Sequence, residues 1–206
     1  MRTLAIDSAT EACSVALFEG DTLVAGDFRL LGRGHAEQLV PMIAALPGKG
    51  KAARIAVALG PGSFTGLRVG IATAKALGLA WQSEVVGYPS LALIAAMARA
   101  ERGDRSLSVV MTGGHGEWFV QAYAASGGPT GDVASLRPDA AAAQVEDDLL
   151  AGTQAAALLA LRGRGEALDI LPDARAFNLL PASLLTGTVQ PHYGRPPDAR
   201  LPVGAA

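Results

Sequence analysis

The sequence predicts an α/β fold built as two halves, the second smaller than the first. Two observations carry that prediction. Early in the chain, three short runs of strand character stand in succession before any helical pattern, and helices alternate with strands after them. A turn-rich break at Gly103-Asp104 is then followed by two more strand-like runs and by Ala-rich helical stretches.

Residues 3–7, 12–19 and 22–29 are apolar or alternating runs, separated by Ser8-Ala9-Thr10-Glu11 and by Glu19-Gly20-Asp21. That is the pattern of an antiparallel meander. Over 35–46, Leu39, Met42, Ile43 and Leu46 fall on one helical face, and Pro41 removes one backbone hydrogen bond from that helix. The run Arg54-Ile-Ala-Val-Ala-Leu59 reads as a strand. A long Ala-rich helix then ends near Trp81, a short strand follows at 84–86, and a helix runs from Ser90 to about residue 100. The resulting order, βββαβαβα, is that of the ribonuclease-H-like half found in the actin, Hsp70 and sugar-kinase (ASKHA) architecture. Residues 1–103 are therefore expected to form an N-terminal ribonuclease-H-like domain, and 104–206 a reduced α/β second half. In the second half, strands are expected at 106–111, 118–124 and 133–136, with a turn at 112–116. Helices are expected at about 138–145, 154–161 and 173–180, and a proline-punctuated extended end over 191–200.

Between the fourth strand and its helix lies LGPGSFTGLRVG, residues 59–70. Pro61 lacks the N–H a ladder needs, Gly62 favours turns, and Ser63 or Thr65 can cap the helix, so the turn is expected to present free backbone N–H groups. Three familiar glycine loops do not fit it. Leu67 follows Gly66 where a P-loop has lysine. The acidic residue of a dinucleotide fingerprint is missing after the next strand, and Pro61 and Thr65 stand where a nucleophile elbow has glycines. A tight strand-to-helix turn is the favoured reading.

Within the helix, Gly66, Gly70, Ala74 and Gly78 recur every fourth residue and make a stripe almost without side chains. Interior glycines cost about 1 kcal/mol each against alanine. Close approach of another helix, from this chain or from a partner, is the expected compensation. Arg68, Lys75 and Gln82 form a second, thin polar stripe, and nearly everything else is apolar or small, so the helix is expected to be buried on more than one side.

Composition narrows the function classes. With 206 residues, 50% of them hydrophobic and 17% charged, the chain is long enough to bury a sizeable core. A net charge of −2 and the lack of a long basic run argue against a dedicated nucleic-acid binder. The single Cys13 cannot form an internal disulfide and is compatible with a reducing compartment. Asp7 and Glu11 make the start unlike a signal peptide, and the uncharged window 85–98 is too short to span a bilayer and contains Pro89. The expectation is a cytoplasmic protein with no membrane association.

Four stretches, AIDSATEACSVAL, HAEQLVPMI, GPGSFTGLRVGIATAKALGLA and PHYGRPPDAR, resemble the bacterial TsaB (YeaZ) family. The resemblance covers most of the first half and the closing residues. It implies an ASKHA-fold, non-catalytic scaffold in the machinery that makes N6-threonylcarbamoyladenosine in tRNA. The implied partner is TsaD, paired through the first two helices of each protein as a four-helix bundle, with the ATPase TsaE near the junction. On this resemblance tRNA is reached only through the complex, and the same surface could pair with itself as a homodimer in isolation. The interface residues it implies are His35, Leu39, Met42 and Ile43 on the first helix, and Gly66, Gly70, Ile71, Ala74, Lys75 and Gly78 on the second. No cofactor or metal is implied. Where the family commonly has Asp-Ala-Arg before a Gly-Glu pair, this chain has Thr112-Gly113-Gly114-His115 before Gly116-Glu117, so no role of that Asp and Arg carries over.

The residues themselves give little support for catalysis. A ribonuclease-H nuclease needs carboxylates on adjacent strands to hold two metals, and 54–59 offers none to join Asp7. TsaD binds metal through a His-x-x-x-His pattern; here Leu39 stands four residues after His35, with His115 and His192 distant in sequence. No Ser-His-Asp or zinc-protease spacing is present to support the glycoprotease label some members carry. Asp7, with Ser8 and Thr10, is the candidate nucleotide contact, by analogy with the first phosphate hairpin of ASKHA proteins. The favoured alternative is that Asp7 organises its turn through side-chain-to-backbone bonds. A rival reading of the whole chain is an ATPase or kinase of the same fold with its own nucleotide site.

Overall fold

Successive side chains on a strand point to opposite faces, so a strand between two layers must be apolar on both. The structure, a computed structural model, describes residues 1–194. In its first half, β1 (Arg2–Asp7), β2 (Ala12–Glu19), β3 (Thr22–Leu30), β4 (Arg54–Ala58) and β5 (Glu84–Tyr88) form a sheet in the order β3-β2-β1-β4-β5. The meander pairs antiparallel as expected, and β4 and β5 add in parallel beside β1. Leu4, Ile6, Val15, Leu17, Ile55 and Val57 point to one face, where α1 (His35–Ala45) and α2 (Phe64–Trp81) cover them. Ala5, Ala16, Phe18 and Ala56 point to the other, toward α3 (Ser90–Arg102) and a 3-10 segment, Ala174–Leu179.

The second half repeats the scheme. β6 (Leu107–Gly114), β7 (Glu117–Tyr123), β8 (Ala134–Leu136), β9 (Leu149–Ala151) and β10 (Glu166–Leu168) take the order β10-β9-β6-β7-β8, with β6 to β8 antiparallel and β9 and β10 parallel. α4 (Pro138–Gln144) and α5 (Ala155–Arg162) cover Val110, Val120 and Leu150 on the outer face. On the inner face Val109, Phe119 and Leu149 share one core with Leu91 and Ile94 of α3. The layers run helices, sheet, helix, sheet, helices. Two ribonuclease-H-like halves are present, as the element order predicts.

Two features differ from expectation, and one expectation falls partly outside the described residues. β9 and β10 are three-residue strands, LLA and EAL, too short for alternation to register in the sequence. The segment expected as a helix over 173–180 is a 3-10 turn bounded by Pro172 and Pro181, and it is held by Ala174 and Phe177 against the first sheet. The extended end over 191–200 is described only to Gly194, so 195–200 lie outside the described residues.

The small-residue stripe needs a correction. A Cβ at Gly66 would lie 2.0 Å from the Ser8 carbonyl oxygen, one at Gly70 2.5 Å from Ser8 Oγ, and one at Gly78 2.4 Å from Val85 Cγ2. The stripe lets α2 descend onto the β1–β2 turn and the start of β5, so the chain's own sheet supplies the close approach expected of another helix. Leu39, Met42 and Ile43 are likewise buried with Ile71 and Ala74 in the core under α1 and α2. His35 is buried with Nε2 3.2 Å from the Ala12 carbonyl. Periodicity marks a face that is covered, and it does not say by what.

Candidate functional site

The glycine turn is knitted to the β1–β2 turn. Ser63 caps α2, its Oγ accepting from the Gly66 N–H at 3.2 Å, while its own N–H donates to the Ala9 carbonyl at 2.6 Å. That N–H, expected to be free, is engaged. Gly62 is small for the same reason: a Cβ there would sit 2.1 Å from Ala9 O.

Asp7, at the end of β1, is 1% exposed. Its Oδ1 accepts from the Ala9 N–H at 3.0 Å, and Oδ2 lies 3.3 Å from the Tyr88 hydroxyl, which also donates to the Ile6 carbonyl at 2.9 Å. Burial pushes the Asp7 carboxyl up to about 7, and nearby Asp173 adds to the rise. Ser8 donates to the Gly66 carbonyl at 2.9 Å, and Thr10 Oγ1 accepts from the Ala12 N–H at 3.2 Å. Asp7 and Ser8 therefore spend their polar atoms inside the fold. Of the three candidate nucleotide contacts, only Thr10 lines the cleft between the halves.

That cleft has a volume of about 910 Å³. Thr10, Glu11 and the glycine turn form one wall, while Met111, the β6–β7 turn, Phe119 and Thr153 form the other. Tyr193, from the C-terminal segment, closes one side. This segment is held by Thr186 pairing with Gly87 and by the His192 N–H donating to the Leu59 carbonyl at 2.7 Å. It carries Tyr193 to Phe64, whose ring centroid is 5.0 Å away. The Arg68 guanidinium lies 3.7 Å above the Phe64 ring, and its Nε donates to the Tyr193 hydroxyl at 3.1 Å. Arg68 and Tyr193 are 125 residues apart, so no local pattern reveals this cluster. Among the described residues, no group of three or more His, Cys, Asp and Glu side chains could hold a metal, and no helix is long and apolar enough to cross a membrane.

A second candidate lies on the outside. Leu79 is 85% exposed on α2 and Val40 51% exposed on α1, with Ala36, Ala44, Ala72 and Ala76 exposed on the same two helices. Among the residues the resemblance named for an interface, Lys75 is the one exposed to solvent.

A family model described as TsaD: tRNA N6-adenosine threonylcarbamoyltransferase matches residues 29–169. The structure also superposes on a Pseudomonas aeruginosa protein described by its similarity to peptidase YEAZ, with a TM-score of 0.74 and 30% identity, covering 86% of this chain and 89% of that one. The chain belongs to the TsaB (YeaZ) family. A second structure, YeaZ from Pseudomonas aeruginosa, gives a TM-score of 0.76 at 28% identity over 93% of this chain and 99% of that one. The tRNA threonylcarbamoyladenosine biosynthesis protein TsaB of Escherichia coli is 37% identical over 60% of this chain and 55% of its own length. TsaB of Bacillus subtilis is 33% identical over 48% and 45%. The chain thus spans about half the length of these curated TsaB relatives. Ethanolamine utilization protein EutJ from Carboxydothermus hydrogenoformans, at a TM-score of 0.51 and 11% identity, shares the fold alone.

Proposed function

We propose that this TsaB-family chain is a non-catalytic subunit of the machinery that makes threonylcarbamoyladenosine in tRNA, and that it supports transfer of the threonylcarbamoyl group by pairing with TsaD. The observation that carries the reading is the outer face of α1 and α2. Leu79 and Val40 stand exposed among alanines, where an isolated protein gains nothing from apolar side chains and a partner's helices would bury them. The interface is moved from the buried stripe to this outer face, with Lys75 at its edge. Residues 1–103 are proposed as the unit that carries it, in the cytoplasm. TsaE would sit near the junction, tRNA would be reached through the complex, and the same face would allow a homodimer when TsaD is absent.

The rival reading, an ATPase or kinase, needs phosphate-binding side chains at the head of the cleft. Asp7 and Ser8 are bonded inward, which favours the scaffold. Reconstitution with TsaD, TsaE, tRNA, ATP and threonylcarbamoyl-adenylate tests the proposal. The modified nucleoside is expected only when this chain is present, and the chain alone is expected to hydrolyse no ATP. Modification that proceeds unchanged without it, or ATP turnover by the chain alone that Asp7→Ala abolishes, would overturn the proposal.

A further inference from the structure

Neither Val40 nor Leu79 lines the cleft between the halves, and that cleft carries a cation held in one orientation. Arg68 is stacked on Phe64 at 3.7 Å and tethered through Nε to Tyr193 at 3.1 Å. Among the described residues nothing else accepts a hydrogen bond from it and no carboxylate pairs with it, so within them its two terminal nitrogens keep their donors. A guanidinium already fixed by stacking and one hydrogen bond loses little freedom on meeting a ligand, and its fork matches the two oxygens of a carboxylate or phosphate. Met111, Phe119 and Pro61 give the same cleft an apolar lining, and a volume of about 910 Å³ takes a compact organic molecule. Glu11 also lines the cleft, which limits the negative charge a ligand can bring.

We infer that the cleft binds a compact, metal-free ligand carrying one carboxylate or phosphate on a flat apolar body, with Arg68 gripping the anionic group. A magnesium–triphosphate is a poor match. It would set several charges against one arginine beside Glu11, with Asp7 and Ser8 turned inward. The inference stands on the cleft alone, and TsaD pairing can fail without touching it.

Isothermal titration of the full chain with AMP, indole-3-acetate, adenosine and magnesium–ATP tests it. AMP or indole-3-acetate should bind more tightly than adenosine, and whichever is tighter tells a nucleotide from an organic acid. Arg68→Gln should weaken that binding by about tenfold or more. Arg68→Lys, which keeps the charge and loses the fork, should fall between. Lys51→Gln, an exposed cation that does not line the cleft, should change nothing. Arg68 is exposed, and unchanged melting of its variants would show that the fold is intact. No binding of either anion at a few millimolar, binding that Arg68→Gln leaves unchanged, or magnesium–ATP binding more tightly than AMP would each overturn the inference.

Discussion

Asp7 sits where a charge is costly, between the Ala9 N–H and the Tyr88 hydroxyl. Its carboxyl is raised from 3.8 to about 7, chiefly by burial. Between those pH values the native state holds a proton that the unfolded chain has released, so this group's contribution to stability is fully present below pH 3.8 and is lost as pH rises through about 7. The whole swing is on the order of 4 kcal/mol. Asp7→Asn keeps an acceptor for the Ala9 N–H and mimics the neutral acid. It should melt higher than the parent at pH 8, with the difference shrinking toward pH 4. A variant less stable than the parent at pH 8 would mean the carboxylate is needed in its charged form. The turn-organising role of Asp7 was legible in Asp-Ser-Ala-Thr, because such a residue at a strand end bonds the backbone two residues on. Its partner Tyr88 was not, being distant in sequence. Arg68 shows the same limit: its charge was visible in the sequence, but its place over Phe64 and its hydrogen bond to Tyr193 depend on where the C-terminal segment returns.

At the scale of elements, α2 shows what periodicity can and cannot tell. The stripe Gly66, Gly70, Ala74, Gly78 was plain in the sequence, and so was the need for something to approach it. Whether a sheet or a helix does so depends on residues far along the chain, Ser8 and Val85 among them. The consequence can be measured. Gly70→Leu should overpack the contact with Ser8 Oγ and Val57, destabilise the isolated protein by about 1 to 3 kcal/mol, and lower its melting temperature by several degrees. An unchanged melting temperature would show that α2 stands farther from its sheet. Short elements failed for a different reason. β9 and β10 are each three residues and have no period of their own; α4 returns the chain to the edge of β6, where β9 pairs, and α5 returns it to the edge of β9, where β10 pairs.

For the whole molecule, the order of elements was enough to anticipate two ribonuclease-H-like halves, since short connections and right-handed crossovers leave few ways to arrange βββαβ. The repeat is more complete than the sequence suggested: both sheets run three antiparallel strands and two parallel ones in the same relative order. The sequence reading named interface residues on α1 and α2, and the structure buries all of them but Lys75 within the chain's own fold. That reading selected the residues with the strongest period, and those are the ones a helix buries in its own protein. The outward residues, Val40, Ala44, Ala72, Ala76 and Leu79, carry a weaker signal because exposed alanines are ordinary on any helix.

The central claim is that this outer face carries the partner, and Leu79→Glu tests it most directly. Leu79 is 85% exposed, so the isolated variant should melt like the parent. Its affinity for TsaD should fall by roughly a hundredfold or more, because a carboxylate would be buried without a partner. Complex formation on a surface sensor, with melting measured on the same preparation, gives both readings. Loss of binding at unchanged stability is the predicted result; full-affinity binding by a folded Leu79→Glu protein would contradict the account.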